Sequence, residues 1–307
     1  MELKRLTDPE LDAHVAETRA FNAKIPKEGT PARWTPEAIA KARDLSQVMG
    51  GIFAGRTIEG FEERTIPGPA GPQRIRVFVP PEVRAVYLDI HGGGFFMGAP
   101  EMDDAANAAL AKHAKVATVA AGYRLAPEHT YPAGPDDCEA AALWLLENAR
   151  REFGTERLII AGGSAGANLA AVTLLRLRDR HQSAERFAAA NLVFGVYDLS
   201  GTPSQLQQGM TGFRDLYLPD HDTAARKNPD ISPLYADLAG LPPALFTVGA
   251  ADYLYDDSLF MAMRWRAAGN ETALAVYPES VHGFTVFPTA MARAANRRIA
   301  DFVAAHV

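Results

Sequence analysis

From about residue 60 onward, short apolar runs alternate with longer stretches whose apolar positions recur at helical spacing. The runs Arg74–Val79, Ala85–Ile90, Val116–Ala121, Leu158–Ala161, Ala190–Gly195, Ala244–Gly249 and Ala273–Tyr277 read as strands, with a weaker one before Pro67. Several are apolar through most of their length, as strands buried on both faces of a sheet must be. Helical patterns fall between them near 101–114, 136–151, 165–180, 256–268 and 288–304. Strand and helix in alternation predict a mostly parallel sheet with helices on both faces.

Two regions depart from this rhythm. In residues 1–50, Asp8-Pro9 and Thr35-Pro36 each set a capping residue before a proline, which opens a helix. Leu11, Val15 and Thr18 form one stripe; Ile39, Ala42, Leu45 and Met49 form another. Two amphipathic helices joined by the loop Pro26–Pro31 suit a lid over a site, and equally suit ordinary packing at the edge of a core. Between about Tyr197 and Leu241 come Gly201, Pro203, Gly209, Gly212, Pro219, Pro229 and Pro233 among polar and aromatic residues. So long an insertion in a compact α/β unit is usually functional.

Composition narrows the class. The 307 residues, 48% hydrophobic and 22% charged, suit one large domain with a smaller accessory part. A net charge of −6, from 37 acidic and 31 basic side chains, offers no electrostatic footprint for nucleic acid. Cys138 is the only cysteine, so no intramolecular disulfide forms and a cysteine-based zinc site is not expected. Its acidic neighbours Asp136, Asp137 and Glu139 oppose a thiolate, which points to a packed residue. The first residues lack the apolar run of a signal peptide, and no run of about 18 apolar residues predicts a membrane span. These features point to the cytoplasm.

The chemistry concentrates at strand ends. Gly162-x-Ser164-x-Gly166 joins the strand Leu158–Ala161 to a helix. Small residues two before and two after let strand and helix approach, so that a serine on the sharp turn projects its hydroxyl. Ser164 then stands at a helix N-terminus, where unpaired N–H groups favour negative charge. The sequence completes neither G-x-x-x-x-G-K-[ST] nor G-x-G-x-x-G here, which excludes a P-loop and a dinucleotide fingerprint. His91-Gly92-Gly93-Gly94-Phe95-Phe96 follows the strand Ala85–Ile90. Consecutive glycines leave backbone N–H groups free to turn inward, as an acyl-transfer oxyanion requires. Asp252 and His282 follow the last two strands, giving the order Ser, Asp, His that α/β-hydrolases use. Position separates His282 from His14, His181 and His306, which fall in helical stretches or at the terminus.

These motifs together resemble the hormone-sensitive lipase family of carboxylesterases, within the α/β-hydrolase fold superfamily. His91–Gly94 is similar to its HGGG motif, Gly162–Asn168 to its GDSAGGN block, and Tyr123–Glu128 to its YRLAPE segment. Ser232-Pro233-Leu234, Leu241-Pro242-Pro243, Asp252–Asp257 and His282-Gly283-Phe284 resemble later blocks, so the likeness covers about residues 60–307. It implies an eight-stranded, mostly parallel sheet in a catalytic domain over 51–307. A helical cap from residues 1–50 and part of the insertion about 197–240 would cover it. It also implies Ser164 as nucleophile, His282 as base and Asp252 as orienting acid. The N–H groups of Gly93, Gly94 and Ala165 would bind the oxyanion, with Gly92 shaping the loop. Phe95 and Phe96 are candidates for lining the substrate pocket; a core position suits either equally.

The expected reaction is hydrolysis of a short- to medium-chain acyl ester through an acyl-enzyme, with no metal or organic cofactor. The same groups serve a lactone, amide or carbamate, and the fold also serves as a non-catalytic ligand receptor. The implied partners are a small-molecule ester and a second copy of the chain in a homodimer. Three positions leave the family pattern. Gly163 stands where an aspartate usually precedes the serine, Ala167 stands for a glycine, and Tyr253 replaces the proline after the triad acid.

Overall fold

The computed structural model describes residues 6–25, 34–44, 58–207 and 212–307. The predicted loop Pro26–Pro31, the stripe positions Leu45 and Met49, the domain boundary at 50/51 and Gly209 lie outside the described residues. Both predicted helix starts are capped. Asp8 Oδ1 accepts the Glu10 N–H at 3.0 Å ahead of the 3₁₀ turn Pro9–His14 and α1 (Val15–Asn22). Thr35 Oγ1 accepts the Ala38 N–H at 3.2 Å ahead of α2 (36–44).

The strands are β1 (Phe61–Gly68), β2 (Gly71–Phe78), β3 (Ala85–Ile90), β4 (Val116–Ala121), β5 (Leu158–Gly163), β6 (Phe187–Val193), β7 (Ala244–Gly249) and β8 (Thr272–Tyr277). They form one sheet in the order β1-β2-β4-β3-β5-β6-β7-β8. Pairing is parallel from β4 through β8, and β1 and β2 add an antiparallel margin. The weak strand expected before Pro67 runs through it. Pro67 lies opposite Pro72 on the outermost strand, where neither missing N–H is needed. The strand expected over Ala190–Gly195 begins earlier, at Phe187, and ends earlier because Phe194 turns to φ 37°.

Helices α3 (Asp104–Ala114), α4 (Ala133–Phe153), α5 (Ala165–His181), α8 (Tyr255–Ala267) and α9 (Ala290–Ala305) cover the sheet. The pleat sorts the side chains between its two faces. Val86, Leu88, Ile90, Leu158 and Ile160 share a core with α4, α5 and α8. Ala85, Tyr87, Ile159 and Ala161 share another with residues of α3 and α9. All six residues of β3 are buried, as the apolar run required.

The insertion carries two short helices, α6 (Pro203–Gln207) and α7 (Phe213–Tyr217), and no strand among its described residues. Chain order fixes where a site can lie. From β3 the chain crosses to β4 on one side and later to β5 on the other, so a crevice opens beyond the carboxyl ends of β3 and β5. The three-glycine loop and Ser164 follow those two ends. No helix among the described residues is long and apolar enough to cross a membrane.

Candidate active site

Ser164 occupies the turn between β5 and α5 at φ 55° and ψ −119°, a strained conformation for a side chain with a Cβ. Its neighbours make the turn possible. A Cβ on Gly166 would stand 1.8 Å from the Ile90 carbonyl oxygen, and one on Gly162 2.3 Å from the Gly166 carbonyl. Helix and strands therefore touch backbone to backbone beneath the serine. Ser164 N–H donates to Val193 O at 2.9 Å, which anchors the turn to β6.

The structure brings the three expected side chains together. Ser164 Oγ is 3.0 Å from His282 Nε2, and His282 Nδ1 is 3.0 Å from both carboxylate oxygens of Asp252. Asp252 is 1% exposed, and its Oδ1 also accepts the Leu254 N–H at 2.8 Å. An imidazole that donates from Nδ1 to a buried carboxylate keeps Nε2 as an acceptor toward the serine hydroxyl. Gly249 lets the two late loops meet: a Cβ there would stand 2.1 Å from Ser280 O.

The three-glycine loop closes the other side. A Cβ on Gly92 would lie 3.0 Å from Gly163 O and 3.5 Å from Ser164 Cβ, so this residue makes the close approach to the serine. Gly93 and Gly94 take φ 120° and 58°, conformations that favour glycine. The Gly93 carbonyl accepts the N–H groups of Phe96 and Met97 at 3.2 and 3.0 Å, which tightens the turn. The N–H groups of Gly93, Gly94 and Ala165 have no hydrogen-bond partner among the described residues. Phe95 and Phe96 are each 2% exposed. Phe95 stacks on Tyr217 of α7 at 4.1 Å, and Phe96 packs on Trp34 at 4.6 Å. Such burial makes them packing residues, which leaves little of either ring for a substrate.

His91 braces this loop from behind. It stacks on Tyr123 at 4.2 Å, and Tyr123 Oη donates to the His91 carbonyl at 3.0 Å. Burial lowers its imidazole pKa to about 4, so it stays neutral where enzymes of this chemistry work. Above its ordinary value of 6.5 the ring is neutral folded or unfolded. As pH falls toward 4, only the unfolded chain takes up the proton, so folding weakens by up to about 3 kcal/mol. Urea unfolding of wild type and His91→Gln at pH 7 and pH 4.5 is expected to show the wild type losing more stability on acidification. Their difference isolates the imidazole from Asp257, whose buried carboxyl is pushed up to about 6 and acts in the opposite sense.

Segments outside the sheet hold each loop. Arg43 on α2 donates to Phe96 O at 2.8 Å and to Ala126 O at 2.9 Å, and forms a bidentate pair with Glu128. Asn22 on α1 donates to Glu279 O at 2.7 Å, three residues before His282. Asp257 accepts the N–H groups of Tyr197 and Asp198, the Thr202 hydroxyl and the Gln205 amide, which ties α6 to the first turn of α8, just after Asp252. Asp257 closes the Asp252–Asp257 block without a role read from it, and no motif or spacing rule would have singled out Arg43 or Asn22. Cys138 is buried, and burial pushes its thiol pKa up. Among the described residues no cluster of histidine, cysteine or acidic side chains is placed to hold a metal ion.

A sheet with this switch point and these residues at its carboxyl edge defines an α/β-hydrolase, and comparison with known proteins agrees. Residues 87–286 match the profile of the alpha/beta hydrolase fold family. Carboxylesterase NlhH of Mycobacterium tuberculosis is 36% identical over 252 residues, 77% of this chain and 79% of its own. The esterase of Pyrobaculum calidifontis superposes with a TM-score of 0.83 at 29% identity, covering 98% of this chain and 99% of its own. A hormone-sensitive lipase from a metagenome library gives 0.77 at 28% identity, covering 98% and 99%. The chain belongs to the α/β-hydrolase fold family, in its hormone-sensitive lipase branch. It is a carboxylic ester hydrolase.

Proposed function

We propose that the chain is a serine esterase in which Ser164 is the nucleophile, His282 the proton carrier and Asp252 its orienting acid. The observation that carries this reading is the hydrogen-bond chain Ser164 Oγ–His282–Asp252, with 3.0 Å at each link. Ser164 Oγ attacks the ester carbonyl carbon while its proton passes to His282 Nε2. The carbonyl oxygen, now an oxyanion, receives the free N–H groups of Gly93, Gly94 and Ala165. Each such donor contributes about 10²–10³ in turnover in related chemistry. Collapse breaks the ester C–O bond, and the leaving alkoxide takes the proton from Nε2. Water then repeats the sequence on the acyl-enzyme and releases the carboxylic acid.

In this reading residues 1–50 and the insertion near 197–240 form the cap, and Gly92 shapes the oxyanion loop without donating. The bonds from Arg43, Asn22 and Asp257 to the reacting loops support a cap that also steadies the site. A homodimer joined along the outer strand β8 belongs to the same reading. The substrates are short- to medium-chain acyl esters, because Phe95 packs on Phe213 and Tyr217, and Phe96 on Trp34, which fills the space behind the oxyanion loop.

Two measurements test it. Mass spectrometry after treatment with an organophosphorus fluoride is expected to find one adduct, on the peptide containing Ser164, and none in His282→Ala. An adduct on another residue overturns the nucleophile. Across p-nitrophenyl esters from acetate to palmitate, kcat/KM is expected to peak at or below the octanoate. A maximum at palmitate overturns the substrate class.

A further inference from the structure

The two hydrogen bonds of His282 leave one motion of its ring free. They grip Nδ1 and Nε2, so the imidazole can still rock about the line joining them. The backbone does little to prevent this, because His282 sits in a loop between Glu279 and Gly283, at φ 57° and 75°. Only contacts on the ring itself can stop the motion, and two aromatic side chains make them. The Phe194 ring meets the imidazole edge to face with centroids 4.8 Å apart, and the Tyr253 ring meets it at 4.6 Å with a 40° tilt.

Both aromatic residues are held from behind. Phe194 has φ 37°, uncommon for a residue with a side chain, and its N–H donates to Thr247 O at 2.6 Å. Strain of this kind persists only where its surroundings impose it, and it gathers at functional sites. The Phe194 ring lies beside the backbone of Gly163: a Cβ there would touch its Cε2 at 3.5 Å, an ordinary contact, and a longer side chain would have to share that space with the ring. Tyr253 follows Asp252 directly, and its carbonyl accepts the Ser204 hydroxyl at 2.9 Å. The two departures from the family pattern that lie next to triad positions, Gly163 and Tyr253, therefore converge on one imidazole.

We propose that Phe194 and Tyr253 are positioning residues, an aromatic clamp that holds the His282 ring in line between Ser164 and Asp252, and that Gly163 is the vacancy that admits it. The proposal rests on His282 being the proton carrier. A clamp acts on the transition state through alignment, so its loss lowers kcat and leaves KM nearly unchanged. Misplacement of a reacting group by about 1 Å costs up to about 10²-fold.

Phe194→Ala and Tyr253→Ala are each expected to lower kcat about tenfold with KM within about twofold, and Phe194→Tyr to restore most of it. Loss of either ring opens the clamp, so the double variant is expected to fall well short of the hundredfold product of the two. Gly163→Asp is expected to cost about tenfold in the wild type and almost nothing on top of Phe194→Ala. A second readout needs no turnover. In Ser164→Ala the downfield proton resonance of His282 Nδ1–H is expected to be sharp, and adding Phe194→Ala is expected to broaden it by exchange with water. Phe194→Leu keeps the bulk and serves if the alanine variant unfolds; it too is expected to lower kcat.

An unchanged resonance together with unchanged kcat overturns the clamp, and so does a loss that appears in KM alone. Full activity in Ser164→Ala would instead overturn the underlying mechanism, and the resonance would still report on the clamp.

Discussion

Ser164→Ala is expected to lower ester turnover by about 10⁵–10⁶-fold, the scale seen when the nucleophile of a triad is removed. The hydroxyl that would attack is the only group lost. Among the described residues its one side-chain hydrogen bond is to His282, so the variant should fold as the wild type does. Alanine at φ 55° is no more strained than serine, since the backbone meets the same Cβ in both. Some rate above the uncatalysed reaction should persist, because the free N–H groups of the glycine loop still polarise a bound carbonyl. Initial rates on p-nitrophenyl butyrate decide the matter, with active-site titration to exclude traces of wild type. A fall of less than about tenfold would remove Ser164 from the nucleophile's role.

The second large effect falls on stability. Gly166→Ala puts a methyl group where the Ile90 carbonyl oxygen already stands, 1.8 Å from the new Cβ. No rotamer relieves a clash between a Cβ and backbone, so β3 and α5 must separate. That separation opens the core between them, where Ile90, Ala165, Ala167 and Leu169 are fully buried. A loss above about 4 kcal/mol is expected, in the range that marks gross disruption. Urea unfolding measures it, with Gly154→Ala as the control. Gly154 has φ 77° with nothing within 4 Å, so its variant should lose only about 1–2 kcal/mol, the cost of a left-handed residue with a side chain. Equal losses in the two variants would show that close packing beneath the serine does not govern the fold.

Much of this architecture was legible before any coordinates. Buried parallel strands such as Ala85–Ile90 and Val116–Ala121 begin and end where their largely apolar runs do, because a strand covered on both faces must be apolar through most of its length. The capping pairs Asp8-Pro9 and Thr35-Pro36 open helices because side-chain acceptor and proline act within a few residues. Strand ends governed by a single dihedral were not legible: β6 stops at Phe194 because that residue turns to positive φ, which no composition announces. The choice between pocket and core for Phe95 and Phe96 was not legible either. Two aromatic residues after a glycine loop suit a pocket wall or a core, and Tyr217 and Trp34, distant in the chain, decided for the core.

The candidate site divides along the same line. Ser164, Asp252, His282 and the glycine loop stand in the sequence because each needs a local feature: a sharp turn, a strand end or free N–H groups. That local need fixed their residue types and spacing. Their meeting within 3.0 Å, and the company they keep, came from the sheet order that sets β3 beside β5 and β7 beside β8, with only β6 between the two pairs. Arg43, Asn22 and Phe194 reach the site across long separations in the chain, and Tyr253 and Asp257, though close to Asp252 in sequence, act on partners that lie far from them in it. Their roles depend on which surfaces meet, and only the tertiary structure decides that, because packing couples residues that no local rule connects.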